Sequence, residues 1–418
     1  MMKNIKDYGA AGDGKTLDTA AIQSAIDSGG MVYIPAGTYL TGTLCLKSNG
    51  GIHLAPGAVL LGSTVREDYN ADDFCPQNEV FTSEHVTGAH LIVAVGQENI
   101  TIEGHGTING NGRYWMNEKN MSPGWPNPDD FDYVPNKNRP GQLLYICECR
   151  NVHVTDVNIE NGPYWHLFFH GCENVFVRGL SIRGDRPRWT NDGIDIDCCS
   201  HVTVSDCIID VGDDAITLRA HCNTLSEGHR VCEHVTITNC VIRAHRDNGI
   251  RIGVGNGTVR DCLISNTDIE APNLSGICLV GRWSAESRTA TALENIMFSN
   301  INVRARTAVE VTVAYGDAPL PNECHISDIS FRSLSLFPSE CGIILRGTSE
   351  RILERVSMNS VTLHDPKTLR SGKAVCIENA HNVSLCDFRI AGDDNADIDG
   401  CVSAGSCSAI SVNGKNII

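Results

Sequence analysis

The chain has 418 residues, a formal net charge of −17 at pH 7 and 41% hydrophobic residues. That composition supports a sizeable core and excludes global disorder. The acidic balance and the lack of any Lys/Arg run exclude nucleic acid and anionic membrane as partners. No segment is apolar over the length of a signal peptide or a membrane span, so a cytoplasmic protein is expected. The 19 cysteines form no Cys-x-x-Cys pair, and many lie at strand-like positions. They read as small buried hydrophobes in a reducing compartment, not as disulfide partners or a zinc site.

The first element in chain order is the stretch "TLDTAAIQSAID", which predicts a helix over 16–27. Thr16 or Asp18 can cap it, and Gly29-Gly30 ends it. Such a helix, within a cap of residues 1–30, would cover one open end of a stacked-strand structure. Residues 31–62 give the first strands. The segment 111–141, proline-rich and carrying Trp115 and Trp125, shows no repeat and is expected to form a loop walling one side of a cleft.

From about residue 90 a unit recurs: a polar residue, alternating β-branched residues, then a turn. Examples are "ENITIEG", "RNVHVTDVNIEN", "ENVFVRGLSIRG", "SHVTVSDCIID", "ENIMFSNINV" and "HNVSLCDFRI". These are strands. Their repetition every two to three dozen residues, with no helical pattern between them, predicts an all-β chain: one right-handed parallel β-helix domain over 1–418, with Cys, Asn and Ile in interior stacks.

Seven aspartates fall between residues 190 and 220, on segments that otherwise read as core strands. Asp192 and Asp213 are about one coil apart, and one-coil spacing places equivalent positions about 4.8 Å from each other. Asp213 and Asp214 are adjacent and would face opposite sides of a regular strand, so a bulge at Gly212 is expected to turn both toward one site. Crowded carboxylates push at least one pKa up, giving a protonated acid beside an ionised base, which is what glycoside hydrolysis requires. Asp195, Asp197, Asp206 and Asp210 read instead as turn or solvated residues.

"NDGID" followed after one coil by "GDDAITL" resembles the paired signature of family 28 glycoside hydrolases, the polygalacturonase family. "NGPYWHLFFHGCENV", with Trp165, and the opening "DYGAAGDGKTLDTAAIQSAIDSGG" are similar to the family's segments before the site and at the N-terminus. The resemblance implies hydrolysis with inversion, Asp213 as general acid, and Asp192 and Asp214 positioning and deprotonating the water. It also implies that Tyr315 borders the cleaved bond.

Two departures stand out. The family's Gly-His-Gly histidine falls at Asp247-Asn248, with His245 nearby but out of register. The Arg-Ile-Lys triplet that grips galacturonate carboxylates corresponds to Cys278, Leu279 and Val280. Losing both cations removes strong charge-assisted bonds. Arg219, Arg251 and Arg282 are the candidates to replace them, and His166, His221 or His245 to replace the histidine.

The expected activity is therefore an exo-acting, inverting glycoside hydrolase on pectin-derived oligosaccharides, needing no cofactor and no metal. Its substrate would be an imported oligosaccharide or small glycoside, and release of a neutral sugar such as rhamnose is the alternative. A polysaccharide lyase, a sugar epimerase and a non-catalytic carbohydrate-binding β-helix are the competing classes. No phosphate-cradling loop or dinucleotide fingerprint is visible, and the oligomeric state is not legible.

Overall fold

The computed structural model describes residues 2–115, 138–186, 190–228, 231–284, 286–316, 319–321, 324–364, 374–391 and 402–418. Trp125 and most of the 111–141 insertion lie outside them. The chain forms two compact units: Met1–Asp213 with Asn223–Gly228, and Asp214–Cys222 with His229–Ile418. The sequence reading treats 1–418 as one solenoid; the division falls at the Asp213–Asp214 peptide bond. Each unit is a stack of parallel coils, as expected of a parallel β-helix.

In the first unit, strands Ile92–Val95, Leu144–Cys147, Leu167–His170 and Ile194–Asp197 lie in register. Ile92, Leu144, Leu167 and Ile194 stack as one fully buried row. A neighbouring sheet stacks Ile100, Val152, Val175 and Val202 in the same way. Side chains alternate between core and outer face with the period of two that the sequence shows.

The second unit uses longer, bent strands, chiefly Thr258–Arg282, Ala292–Ala314 and Ile326–Arg346. Phe298 and Phe331, both fully buried, stack with centroids 5.1 Å apart and planes 13° from parallel. Phe331→Ala would open a cavity under Phe298, and a loss of about 3–5 kcal/mol is expected. Urea unfolding should show it as a lower midpoint at unchanged m.

The corners explain the polar residue that opens each repeat. Asn99, Asn151, Asn174, His201, His234, Asn295 and Asn382 all have positive φ between 49° and 58°. A second left-handed corner follows in the same coils at Asp156, Asp206, Asn239, Asn300 and Asp387. Short polar side chains tolerate this region best, and two such residues per coil turn the chain from one sheet to the next. Asn49, Asn99, Asn151 and Asn174 are bonded side chain to side chain in a ladder at 2.6, 3.0 and 3.3 Å. The ladder runs along the outside corner, so the expected interior Asn stack is corrected: at these left-handed corners the asparagine side chains lie outside the core. The apolar stacks are inside as expected. The described cysteines are free, and burial pushes the Cys172 thiol well above its ordinary pKa.

The N-terminal helix covers Thr19–Asp27, three residues later than expected at its start. Thr16 does not cap it. Residues Asp13–Leu17 are a strand, and the Thr16 N–H and hydroxyl both donate to Asp13. Asp18 occupies the cap position, but its carboxylate instead accepts the N–H groups of Ala11 and Gly12 at 2.6 and 2.9 Å. Ile22, Ala25 and Ile26 form the buried face. Among the described residues no helix is long and apolar enough to cross a membrane. Trp115, expected in the cleft wall, is buried edge-on against Tyr69 at 6.3 Å.

Candidate active site

Asp192 precedes the strand Ile194–Asp197, and Asp213 follows the strand Ile208–Val211. Both are buried, and their carboxylate oxygens come within 4.8 Å of each other. Two carboxyl groups this close need a scaffold that holds them. Asn191, fully buried, supplies it. Its Oδ1 accepts the N–H of Gly212 at 2.9 Å and of Asp213 at 3.0 Å, and its Nδ2 donates to the Asp185 carbonyl at 2.8 Å. Asp185 is in turn ion-paired with Arg113 at 3.0 Å. The Thr190 N–H donates to Asp213 Oδ2 from a left-handed backbone at φ 63°. Residues 212 and 213 form a bend beyond the strand end. In place of the expected bulge, the chain turns at Gly212 with two N–H groups bonded to one side-chain oxygen beyond the strand end.

Behind Asp192 lies His166. Its Nε2 accepts the Gly162 N–H at 3.1 Å, so the ring proton sits on Nδ1 and donates to the Asp192 carbonyl at 2.8 Å. A neutral, fully enclosed imidazole used in this way positions Asp192. It does not stand in for the family histidine. Trp165 is also buried, stacked on Tyr164 at 4.7 Å and packed against Phe81 and Phe168. It is part of an aromatic cluster, not an exposed sugar platform.

In the second unit three donors converge on Asp214, itself 2% exposed. Oδ1 accepts the Asn248 backbone N–H at 2.9 Å and its Nδ2 at 2.8 Å, and Oδ2 accepts Arg251 Nη1 at 3.1 Å. Asn248 Oδ1 accepts the Ser275 N–H at 3.3 Å, which fixes which end of the amide faces Asp214. Burial disfavours the charge on Arg251, but Asp214 and Asp247 outweigh it, so its pKa stands above the ordinary arginine value. The guanidinium lies 5.9 Å from the ring centre of Trp283, an indole that is otherwise exposed. Asp214, Asn248, Arg251 and Trp283 form one constellation.

The other predicted residues divide. Arg282 is buried and donates to the carbonyls of Tyr315, Gly316 and Pro319, each at 3.1 Å. Those bonds hold a loop, so Arg282 is a structural arginine. Arg219 is buried within the strand Ile216–Ala220. His245 is half-buried in a turn, where its carbonyl accepts from Asn273, and Asn248 takes the position beside Asp214. Tyr315 is not a core aromatic. Its hydroxyl donates to Glu310, and burial followed by that carboxylate raises its pKa. Asp195 and Asp197, read as solvated, are buried, with Asp197 Oδ2 3.7 Å from His170 Nδ1. Asp206 is at a corner, and Asp210 is ion-paired with Arg186 at 3.0 Å, as their reading requires.

The model of the glycosyl hydrolases family 28 matches residues 63–349. The chain belongs to this family. A second model, rhamnogalacturonase A/epimerase, pectate lyase-like, matches residues 2–99. An exo-poly-α-D-galacturonosidase of Dickeya chrysanthemi is 27% identical over 357 residues, which is 75% of this chain and 57% of that protein. The chain thus spans little more than half of that relative's length. The family 28 exopolygalacturonase of Yersinia enterocolitica superposes with a TM-score of 0.76 at 21% identity, over 100% of this chain and 79% of that one. PfbA, a surface adhesin of Streptococcus pneumoniae, superposes with a TM-score of 0.59 at 18% identity, over 100% of this chain and 96% of that one. Similarity at that level shows the fold alone, and function has to be argued from the site.

Within the family 28 pattern the departures now have coordinates. Of Asp247-Asn248, where the family histidine falls, Asn248 donates its amide N–H to Asp214. Arg251 pairs in register with Cys278. The guanidinium therefore stands one coil before the family's arginine position, not at it. Asn191, Thr190, Glu310 and Ser275 escaped the sequence reading. The signal for Asn191 was its place beside Asp192, and for Glu310 a lone acid in the apolar run "AVEVTVA".

Proposed function

We propose that the protein is an exo-acting glycoside hydrolase that removes single residues from pectin-derived oligosaccharides with inversion. The observation that carries this reading is the Asp192–Asp213 carboxylate pair held within 4.8 Å by Asn191 and Thr190. Asp213 is the general acid. Its Oδ2 accepts the Thr190 N–H, so the transferable proton sits on Oδ1 and passes to the glycosidic oxygen as the C1–O bond breaks. Asp192 holds the water that attacks C1 and takes its proton. The exo mode is supported by the Dickeya and Yersinia relatives, whose names specify exo action on galacturonan.

Inversion rests on the family pattern, not on spacing. Inverting carboxyls are generally about 6.5–9.5 Å apart and retaining ones about 5–5.5 Å, and this pair is close. The test is proton NMR of early products from oligogalacturonates, rhamnogalacturonan fragments and neutral α-glycosides. A monosaccharide that first appears as the β-anomer is expected. An initial α-anomer would establish retention, an unsaturated product a lyase, and no product from any substrate would refute the hydrolase reading.

A further inference from the structure

Beyond Arg251 the outer row of the second unit continues through Cys278 and Glu310, paired in register on successive strands. Cys278 stands where the family pattern has the arginine that grips a uronate carboxylate, and Glu310 is its in-register neighbour. Cys278 is buried, and burial, with Glu310 next, pushes its thiol far above the ordinary pKa, so it is a neutral group. Glu310 is 8% exposed. Its partners are three hydroxyls: Ser275 at 3.0 Å on Oε2, and Thr312 at 3.2 Å with Tyr315 on Oε1. Among the described residues no Lys, Arg or His forms an ion pair with it. A desolvated carboxylate with hydroxyl donors and no counter-ion sets a negative potential along this row.

Tyr315 connects that carboxylate to a cavity of about 380 Å³, which is also lined by Arg346, Thr348, Ser349, Glu350 and Glu378. Arg346 there is paired with Glu378 at 2.9 Å. Among the described residues the lining therefore carries two carboxylates against one guanidinium, with Glu310 behind Tyr315 as a third. A sugar carboxylate brought here would meet like charge and find no unspent cation. Sugar hydroxyls would meet carboxylate acceptors, the Thr348 and Ser349 hydroxyls and backbone groups.

We infer that the sugar lodged on the Cys278–Glu310–Tyr315 side of the site is a neutral one, held through its hydroxyls and selected against uronic acids by Glu310. This rests on the hydrolase reading above and specifies its substrate. The two separate experimentally, because binding can be read without turnover.

The probes are an oligogalacturonate trimer and the same trimer after reduction of its carboxyls to primary alcohols, titrated calorimetrically into the catalytically silenced Asp213→Asn protein. The reduced trimer is expected to bind at least tenfold tighter. Adding Glu310→Gln, which keeps shape and hydrogen bonding but removes the charge, is expected to recover about tenfold for the acidic trimer and to leave the reduced one within about twofold. Tighter binding of the acidic trimer to Asp213→Asn would overturn the inference, and that comparison needs no Glu310 variant to fold. An equal response of both trimers to Glu310→Gln would overturn it too, since a merely structural Glu310 predicts that result. Turnover by the wild-type protein, measured separately, bears on the hydrolase reading alone.

Discussion

Asp213→Asn is expected to lower kcat by about 1,000-fold, within the roughly 10²–10⁴-fold range of a positioned general acid. KM should stay within a few-fold. The amide oxygen can still accept the Thr190 N–H, so the fold should survive, and thermal unfolding provides that control. The role itself is read from the leaving group. A p-nitrophenolate departs without protonation, whereas a sugar alkoxide does not. On an aryl glycoside that the wild type cleaves, the same variant should therefore lose much less, about tenfold or under. Equal losses on aryl and natural glycosides would remove Asp213 from the acid role. Asp192→Asn should show the opposite signature, because water activation is needed whatever group departs.

The coils were legible because burial on one face of a strand imposes a period of two, and stacking repeats it. "VHVT", "VFVR" and "VTVS" show this plainly, and their valines are the buried rows found in the structure. The corner residues were visible as letters but not as geometry. Asn99, His201 and Asn295 share no charge or size that marks them, only tolerance of a positive φ. The helix start was misplaced because Thr16 is an equally good cap in sequence, and only the pairing of Asp13–Leu17 with Gly37–Thr41 decides against it.

The aspartates were picked out by motif and spacing, since both are local. Which cations accompany them could not be picked out this way. Arg251, Arg219 and Arg282 are indistinguishable as letters, yet one bonds Asp214, one lies buried in its strand and one ties three carbonyls. Glu310 was invisible for a related reason. Its meaning depends on facing the Cys278 position, and coils of unequal length hide that register until the strands are paired. Two hydrogen-bonded positions far apart in the chain carry no signature in either segment.

Asn191→Ala is expected to damage both folding and catalysis without touching a carboxylate. Alanine leaves the N–H groups of Gly212 and Asp213 and the carbonyl of Asp185 without their partner in a buried setting. Each orphaned group costs about 1–3 kcal/mol, and with partial relaxation a net loss near 3 kcal/mol is expected in urea unfolding. The backbone at 212–213 would then no longer be pinned, and Asp213 would drift relative to Asp192. A displacement on the order of 1 Å can lower kcat about 100-fold. KM should move far less, because Asn191 meets no substrate. Asn191→Asp separates the two effects. It keeps both acceptor bonds but loses the donor to Asp185 and buries a further negative charge beside Asp213. Burial and that neighbour raise the new carboxyl's pKa in the folded state, so the variant should be least stable at neutral pH and recover as the pH falls toward its folded pKa. If Asn191→Ala instead unfolds early yet keeps the wild-type kcat at low temperature, Asn191 supports the fold alone and Asp213 is positioned by the Thr190 N–H.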